Sequence, residues 1–323
     1  MKKVIVFGGA GFVGSRLCPL LQKKYDLTVV DTFWFWDSPE EYAEKVGIPL
    51  SSVVQEDIRD KGVKSLIKGK DVVINLACLS NDISSDIDYN FTHDVSYNGV
   101  MNVMNGAIDS RAPKIVQVSS TSVYGAKQGM LVTEKEIPEP ITQYSTIKKQ
   151  IDDVLLYHMK YTSSDITVLR PATLYGYSPR LRLDIMVNTL LNRAIEDNRL
   201  IIEGGEQHRP CLHVDDFANT FLTILKSPKS SNNIYNVTNE NYTVNQVVDK
   251  IKQVLPEVEL QYKHVLDQRS YRTSSSKIKK ELGLKLPTKL NKSTIKALHQ
   301  KIAHGDYNKG YSINLEVIKE LIK

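Results

Sequence analysis

The feature that most constrains the fold is the segment GGAGFVG at residues 8–14, which stands between an apolar run and a helical pattern. The preceding run, VIVF at residues 4–7, is typical of a buried strand. Gly8, Gly11 and Gly14 have the spacing that gives a tight turn, close approach of a pyrophosphate to the backbone, and close packing of helix on strand. A strand, glycine loop and helix in this order predict a dinucleotide site at the helix N-terminus.

The pattern of strand and helix continues beyond this loop. Four further apolar strand patterns occur at residues 27–31, 71–77, 114–120 and 166–171. Helical patterns separate them, notably at 92–108 and 144–161. Strands that are nearly continuous in apolar residues are buried on both faces, so the alternation predicts an α/β fold with a doubly wound parallel sheet. Pro19 interrupts the first helical pattern, where we expect a kink.

The regular alternation ends near residue 176, where proline, glycine and arginine cluster in YGYSPRLR. A helical pattern at 213–225 and a strand pattern at 234–238 then resemble the strand–helix alternation of the first half. We therefore predict a nucleotide-binding domain at 1–176, to which residues 213–238 return. A smaller, mixed α/β substrate-binding region at 177–323 completes a cleft at the carboxyl edge of the sheet.

Composition indicates the compartment and limits the partners. The net charge of +5 over 323 residues is mild and fits a slightly basic surface. The three cysteines are widely spaced and form no CxxC pair, which favours a protein of a reducing, intracellular compartment. Glycines break the apolar run after the N-terminal lysines, and no apolar segment approaches the length of a membrane span. We expect a cytoplasmic protein with neither a nucleic-acid nor a membrane partner.

Asp31 ends the second predicted strand and selects the cofactor. A carboxylate at this place accepts hydrogen bonds from a ribose 2′-hydroxyl and repels a 2′-phosphate, so NAD is favoured over NADP. The following residues, DTFWFWD, contain no base, so we expect no nearby cation to receive a 2′-phosphate once Asp31 is removed. The aromatic run from Phe33 to Trp36 either covers the adenosine or packs against the next loop.

The segment YSTIK supplies two candidate catalytic residues. Tyr144 and Lys148 are four residues apart and therefore share one face of the predicted helix. A tyrosine with a pKa of about 10 is a poor base at neutral pH. A nearby ammonium and the positive ring of an oxidised nicotinamide both favour the phenolate. Beside a dinucleotide fingerprint, the pair predicts proton transfer coupled to a redox cofactor.

Motifs along nearly the whole chain now support a resemblance. They are GGAGFVG, Asp31, EDIRD (56–60), NLAC (75–78), SSTSVYG (119–125), YSTIK (144–148), LRPATLYG (169–176), RPCLHVDD (209–216) and DQRSYRTSSSKIKKELG (267–283). In this order they resemble the extended short-chain dehydrogenase/reductases, and among them the NAD-dependent nucleotide-sugar epimerase/dehydratase family. The resemblance implies a Rossmann fold, NAD, a nucleotide-diphosphate sugar as substrate, and a homodimer formed through the helices near 92–108 and 144–161.

The resemblance also implies roles for individual residues. It makes Ser120 the third catalytic residue, beside Tyr144 and Lys148, and gives Arg209 and Arg269 the substrate's diphosphate. The implied cofactor residues are Gly8, Gly11, Phe12, Val13, Gly14, Asp31, Asp57, Ile58, Leu76, Ala77, Cys78, Tyr144, Lys148 and Pro171. The implied substrate residues are Asn81, Ser120, Thr121, Thr173, Asn188, Arg209 and Arg269. The chain departs from the commoner family pattern at NLAC, which replaces His-x-Ala-Ala, and at Ser96, which replaces a frequent Asn.

The hydroxyl run SSTS narrows the reaction. Relatives that eliminate water carry Asp-Glu directly after the catalytic hydroxyl, and relatives that decarboxylate carry a Glu just before Val-Tyr. Thr121 and Ser122 occupy those positions here, and hydroxyls without an activating partner are poor acids and bases. The sequence therefore predicts oxidation and reduction at C4 of the sugar without elimination, and 4-epimerisation through a 4-keto intermediate is the leading interpretation.

Three alternatives remain open at this point. SPRLRLDIMVN (178–188) and DQRSYR (267–272) resemble a subgroup that includes C4 dehydrogenases, so a net C4 dehydrogenase or 4-ketoreductase is the second interpretation. A 4,6-dehydratase would need carboxylates from elsewhere in the chain. A non-catalytic NAD-binding or RNA-associated relative would not need an intact catalytic set. His208, Cys211 and His213 lack the spacing of a metal site, and we expect none.

Overall fold

A computed structural model of the chain describes residues 1–264, 270–305 and 307–322. Its strands are β1 (Lys3–Phe7), β2 (Asp26–Asp31), β3 (Val53–Gln55), β4 (Val72–Asn75), β5 (Lys114–Val118), β6 (Leu131–Val132), β7 (Asp165–Pro171), β8 (Thr173–Tyr175), β9 (Arg199–Glu203), β10 (His208–His213), β11 (Asn233–Val237), β12 (Glu240–Thr243), β13 (Glu259–Lys263) and β14 (Arg272–Thr273). Its α-helices are α1 (Gly14–Gln22), α2 (Pro39–Val46), α3 (Val63–Ile67), α4 (Asp82–Ser85), α5 (Tyr89–His93), α6 (Val100–Asp109), α7 (Gln143–His158), α8 (Met186–Glu196), α9 (Val214–Lys226), α10 (Val244–Lys252), α11 (Ser276–Leu282), α12 (Lys292–His304) and α13 (Asn314–Leu321).

The centre of the described chain is a seven-stranded sheet in the order β11-β7-β5-β4-β1-β2-β3. All of its strand pairs are parallel, with Val4 opposite Leu27 on one side of β1 and Val72 on the other. Strand order reverses its direction at β1, because the chain moves to β2 and β3 on one side and then to β4 and β5 on the other. Ligands of such sheets bind at the carboxyl ends of the strands at this switch point. The predicted α/β doubly wound sheet is confirmed.

Helices cover both faces of the sheet, which explains the continuous apolar character of its strands. One core, which includes Val6, Leu17 and Phe217, lies under α1, α2 and α9. The opposite core, which includes Ile5, Met104 and Ile151, lies under α3, α6 and α7. Pro19 lies inside α1, where it leaves one backbone bond of the helix unmade.

The second half of the chain builds a core of its own and also contributes to the first one. The separate core is formed by side chains from α8, α10, α12 and the strands beside them, among them Leu191, Val247 and Leu298. Strand β11 lies at the edge of the main sheet, and Ile278 in α11 joins the first core. The proposed division at residue 176, with residues 213–238 returning to the first domain, stays a prediction.

The predicted helix at 92–108 has an irregular backbone. The stretch Asp94–Gly99 between α5 and α6 is a π-helix, a form that occurs mainly as single turns and frequently at functional sites. Inside it, the buried hydroxyl of Ser96 accepts a hydrogen bond from the backbone N–H of Leu79 (3.0 Å). The irregular turn therefore fixes the loop that follows β4, at the carboxyl edge of the sheet.

Candidate active site

A cavity of about 510 Å³ opens at the carboxyl edge of the sheet, where β1, β2, β4 and β5 end. One side, here called the strand-end wall, consists of residues 8–14, 31–35, 76–82 and 118–122 together with α7. A second side, here called the arginine wall, consists of residues 178–184 with the first turns of α13, and it contacts the strand-end wall directly, since Asp184 accepts a hydrogen bond from Asn81 (2.8 Å). Residues from β8, β10 and the chain near Tyr271 close the remaining end.

The glycine loop has the geometry of a nucleotide site. Gly8 has a φ of +75°, and a Cβ there would lie 2.5 Å from the backbone nitrogen of Ala77. A Cβ at Gly14 would meet the carbonyl oxygen of Gly9 at 2.2 Å, so helix and loop touch without room for a side chain. Backbone N–H groups at the start of α1 therefore face the cavity and can bind phosphate.

Two aromatic residues of the run Phe33 to Trp36 support that loop, while the others face the cavity. The indole N–H of Trp36 donates to the carbonyl of Ala10 (2.7 Å), and Phe33 packs on Tyr42. Trp34 and Phe35 line the cavity. The packing role expected for this run is seen for Phe33 and Trp36, and contact of Trp34 or Phe35 with the adenosine stays a prediction.

Asp31 occupies the expected place at the end of β2. Its carboxylate accepts hydrogen bonds from the backbone N–H groups of Ala10 (2.9 Å) and Phe33 (3.0 Å) and lines the cavity. Burial raises the pKa of Asp31, while these backbone bonds and the charge of Arg180 oppose the rise. The sequence-based expectation that no cation lies near Asp31 is wrong. It counted only the residues that follow Asp31, whereas the fold brings in Arg180 from a distant segment.

Tyr144 and Lys148 lie on the first turns of α7, as the spacing predicts. A capping box between Thr142 and Ser145 starts this helix and fixes both side chains relative to the sheet. The ammonium of Lys148 is 5.7 Å from the centre of the Tyr144 ring and donates to the carbonyl of Val118 (3.0 Å). The arrangement places a cation beside the phenol within the cavity.

The electrostatics of this pair keep the lysine charged. Burial opposes the charge of Lys148, but Cys78, whose sulfur lies 3.2 Å from the ammonium, and Tyr144 outweigh it, so the pKa of Lys148 is raised. Burial raises the pKa of Tyr144 to about 12, while the charge of Lys148 and a contact with Ser120 oppose the rise. In the protein alone the phenol is therefore protonated at neutral pH, and a further positive charge is needed to make it a base.

The four hydroxyls of SSTS have separate partners. Ser119 donates to Asp152 (3.0 Å), which is paired with Arg170 behind the cavity. Thr121 donates to the carbonyl of Pro171 (3.1 Å). Ser122 donates to Ser120 through both its backbone N–H (3.1 Å) and its hydroxyl (2.8 Å). Ser120 Oγ accepts both of these bonds, and its side chain also hydrogen-bonds Tyr144, so the catalytic hydroxyl and the phenol lie side by side.

Asp82 is a functional candidate that sequence reasoning missed. It lines the cavity at the first position of α4 and accepts a hydrogen bond from the hydroxyl of Thr142 (2.7 Å). Its charge also contributes to the raised pKa of Tyr144, after burial and Cys78. No motif marked this residue, because its proximity to α7 arises only in the folded chain.

The arginine wall also escaped the sequence analysis. Arg182 donates to Asp184 (2.8 Å) and to Ser80, and Asp184 in turn accepts from Asn81 (2.8 Å) and from the backbone of Asn314 (3.1 Å). Burial acts to raise the pKa of Asp184, but the charges of Arg182 and Arg180 outweigh it and the pKa is lowered. The wall is thus a network of residues from three separate segments.

The cavity brings together most of the predicted site residues. All predicted cofactor residues line it: Gly8, Gly11, Phe12, Val13, Gly14, Asp31, Asp57, Ile58, Leu76, Ala77, Cys78, Tyr144, Lys148 and Pro171. Of the predicted substrate residues, Asn81, Ser120, Thr121, Thr173 and Arg209 line it as well.

Two predicted substrate residues are placed differently. Asn188 is fully buried in α8 and does not line the cavity, because its amide bonds the backbone of Gly176 (3.1 and 2.9 Å) and of Arg182 (2.8 Å). Its contact is with the loop that precedes the arginine wall. Arg269 lies outside the described residues.

Asp57 holds its place through an ion pair. Arg59 donates to both carboxylate oxygens of Asp57 (3.0 and 2.7 Å). These hydrogen bonds lower the pKa of Asp57, although burial acts in the opposite direction. Among the residues described, we find no group of His, Cys, Asp and Glu side chains able to hold a metal ion.

Comparison with known proteins identifies the family. The model of the NAD dependent epimerase/dehydratase family matches residues 4–238, and the chain belongs to this family. It is 26% identical over 265 residues to the uncharacterized UDP-glucose epimerase YtcB of Bacillus subtilis, covering 78% of this chain and 82% of that protein. It is also 26% identical over 240 residues to the dTDP-glucose 4,6-dehydratase of Streptomyces griseus, covering 72% of each.

The fold is similarly shared with solved structures. The UDP-glucuronic acid 4-epimerase of Bacillus cereus, solved with UDP-glucuronic acid and NAD, superposes with a TM-score of 0.81. The match covers 94% of this chain and 99% of the other, at 23% identity. The glycine loop, Asp31 and the Tyr144–Lys148 pair fit the NAD that gives the family its name. None of the helices in the part of the chain described here has the length and apolar character to cross a membrane.

Proposed function

We propose that this protein interconverts the C4 epimers of a nucleotide-diphosphate sugar. The observation that carries the proposal is the arrangement of Ser120, Tyr144 and Lys148 beside Thr121 and Ser122. The first three provide a proton-transfer set, and the last two hold no carboxylate that could drive elimination. Similarity to UDP-sugar 4-epimerases supports the proposal, although related 4,6-dehydratases are equally similar in sequence.

The residues of this chain have distinct tasks in that reaction. Tyr144 takes the proton of the sugar's C4 hydroxyl and later returns it. Ser120, held by Ser122 and in hydrogen-bond contact with Tyr144, turns its hydroxyl hydrogen to the same C4 oxygen when the sugar is bound. Lys148 keeps a positive charge next to the phenol. NAD, when bound, supplies the hydride acceptor at C4 and, in its oxidised form, a second positive charge near Tyr144.

The raised pKa of Tyr144 fits this division of labour. Burial raises the pKa of Tyr144 to about 12 in the protein alone, so the positive charges of Lys148 and of oxidised nicotinamide are what favour loss of the phenolic proton. We assign the substrate's diphosphate to Arg209, and its place in the lining of the cavity supports this assignment.

One specific observation favours a second candidate, a dehydratase. Asp82 is a carboxylate that lines the cavity near Tyr144, and a dehydratase needs such a group for its elimination step. Its hydrogen bond from Thr142 and its place at the start of α4 fit a structural role as well. The two functions, and the net C4 dehydrogenase, differ in their products.

The experiment is incubation with UDP-, GDP-, CDP- and dTDP-hexoses, followed by proton NMR and by absorbance at the wavelength of reduced nicotinamide. Epimerisation gives the C4 epimer from either direction with no net absorbance. A dehydratase gives a 6-deoxy-4-keto sugar, and a net dehydrogenase gives a 4-keto hexose with rising absorbance. Either of these two results as the main product would overturn the proposal.

We also propose a cytoplasmic homodimer. The three cysteines are free, as in a reducing compartment. Helix α7 presents Leu156 and Tyr157 to solvent at 40% and 61% exposure, and Tyr161 follows it at 72%. Such side chains on one surface fit a helix-to-helix contact between copies. Light scattering at micromolar concentration is expected to give twice the mass of the chain, and a monomer would contradict the dimer.

A further inference from the structure

Arg180 is a buried cation whose charge no described carboxylate balances directly. Only 4% of its surface is exposed, yet it forms none of the described ion pairs. Its Nη2 donates to the side-chain oxygen of Asn314. Its Cζ lies 3.9 Å from the centre of the Phe35 ring. Its Nε and Nη1 have no hydrogen-bond partner in the protein. A buried guanidinium with two unbonded N–H donors lowers the stability of the folded protein unless a bound anion accepts hydrogen bonds from it.

The surroundings of Arg180 point to the cofactor end of the cavity. Phe35 belongs to the loop after β2, and Asp31 is close enough that each of the two charges shifts the pKa of the other group. Two residues before Arg180, the hydroxyl of Ser178 donates to the carbonyl of Phe12 in the glycine loop (2.8 Å). The segment that carries Arg180 thus contacts the glycine loop directly, next to the start of α1.

Two observations distinguish the possible anions. The contacts of Arg180 are with Phe35 and Asn314, and none is with the substrate residues Ser120, Thr173 or Arg209. The adjacent carboxylate of Asp31 disfavours a 2′-phosphate at the ribose. The phosphate position that remains is the pyrophosphate, which binds at the N-terminus of the first helix in folds of this kind.

The lowered pKa of Arg180 fits a site from which an anionic ligand is missing. Burial, and next the charge of Arg182, lower the pKa of Arg180 to about 9, while Asp184 and Asp31 act in the opposite direction. Nearby positive charge and desolvation therefore both destabilise the guanidinium in the protein alone. A bound anion would relieve this, because a charge-assisted bond to a guanidinium is among the stronger hydrogen bonds.

We propose that Arg180 is a cofactor-binding residue that reaches over from the arginine wall to donate to the pyrophosphate of NAD. The glycine loop then contacts the pyrophosphate from one side through backbone N–H groups, and Arg180 contacts it from the other through Nε and Nη1. The same contact ties residues 178–184, which form part of the substrate region, to the bound cofactor. This inference rests on the NAD dependence of the family and is independent of the reaction proposed at C4.

The test measures ligand affinity by calorimetry on nucleotide-free protein, using NAD, ADP and adenosine as probes. Arg180→Met is expected to weaken NAD and ADP by about 10- to 100-fold, the loss that follows from a charge-assisted hydrogen bond. Adenosine, which has no phosphate, is expected to bind within about threefold of its original affinity. Arg180→Lys is expected to restore part of the lost affinity for ADP.

The control is Arg16→Met, the same substitution in the first turns of α1. Arg16 is paired with Asp215 at 2.6 Å and does not line the cavity, so its loss is expected to leave all three affinities unchanged. Thermal unfolding of the nucleotide-free protein separates binding from folding. Arg180→Met is expected to unfold at the same temperature or higher, because it removes an unbalanced buried charge.

Three results would overturn the proposal. They are unchanged affinity of Arg180→Met for NAD and ADP, an equal loss for adenosine and ADP, and a lower unfolding temperature without nucleotide. The second would show that Arg180 acts by packing on Phe35, and the third that it acts by supporting the fold. None of these results would bear on C4 epimerisation, which is tested by its products.

Discussion

The strand-end wall and the arginine wall line one cavity and contact each other directly, but they are built in different ways. The strand-end wall takes its catalytic groups from short segments in which neighbouring residues act together, as in SSTS and YSTIK. The arginine wall joins residues from three distant segments, so that Arg180 contacts Phe35 and Asn314. The comparison suggests that the catalytic residues come from short segments of sequence. The residues that bind the ligands are brought together only when the chain folds.

Tyr144→Phe tests the strand-end wall and has the largest expected effect. The substitution removes the base but keeps the ring, so turnover is expected to fall by about 100- to 10,000-fold. Affinity for NAD is expected to change little, which calorimetry measures beside the steady-state rate. The matched control is Tyr262→Phe in β13, an exposed position (58%) outside the cavity and outside the proposed dimer contact, which is expected to retain full activity. Near-native turnover of Tyr144→Phe would show that Tyr144 of the strand-end wall is not the base of the reaction.

Asp31→Ala tests whether the two walls act together in choosing the cofactor. Removing the carboxylate ends its repulsion of a 2′-phosphate and leaves the positive charge of Arg180 nearby, and we expect the ratio of NAD to NADP affinity to fall by about 10- to 100-fold. This fall in the affinity ratio is larger than the one expected if no cation lay near Asp31. Asp26→Ala, at the exposed start of the same strand, is the control and should leave the ratio unchanged. A ratio unaltered by Asp31→Ala would show that the carboxylate does not select NAD.

Asp82→Asn has a smaller expected effect and tests the charge balance of the strand-end wall. Burial raises the pKa of Tyr144 to about 12, and the charge of Asp82 adds to the rise. Removing that charge lowers the pKa, so the phenolate forms at lower pH. The acid limb of the profile of kcat/KM against pH is expected to move down by about half a pH unit.

The control for this variant is Asp86→Asn, an exposed residue at the end of the same short helix. Its pH profile should match that of the unmodified protein. If Asp82→Asn instead abolished turnover while the acid limb stayed in place, Asp82 would be a reacting group, and the dehydratase would become the better interpretation.

The sequence was sufficient for the sheet and the catalytic pair for physical reasons. Strands buried on both faces read as apolar runs, and a spacing of four residues places Tyr144 and Lys148 on one helical face. Phosphate binding by the glycine loop follows from its position between strand and helix. Each of these signals lies within a short stretch of chain.

The remaining parts depend on contacts between distant residues. The segment SPRLRLDIMVN showed two arginines, but its place opposite Asp31 arises from packing against Phe12, Phe35 and Asn314. Asn188 shows the converse, because a motif that suggested substrate contact instead supplies a buried amide that holds the loop before that wall. Asp82 gains its position near Tyr144 through Thr142, which no local pattern reveals.

The most direct measurement of the central claim is the reaction in deuterated water with a nucleotide hexose that the protein turns over. If Thr121 and Ser122 lack acid–base function, hydrogen moves only at C4, and it never becomes a solvent proton. NMR and mass spectrometry are then expected to find no deuterium on any carbon of the product. A dehydratase must protonate a carbon after elimination, so deuterium at C5 would contradict the account.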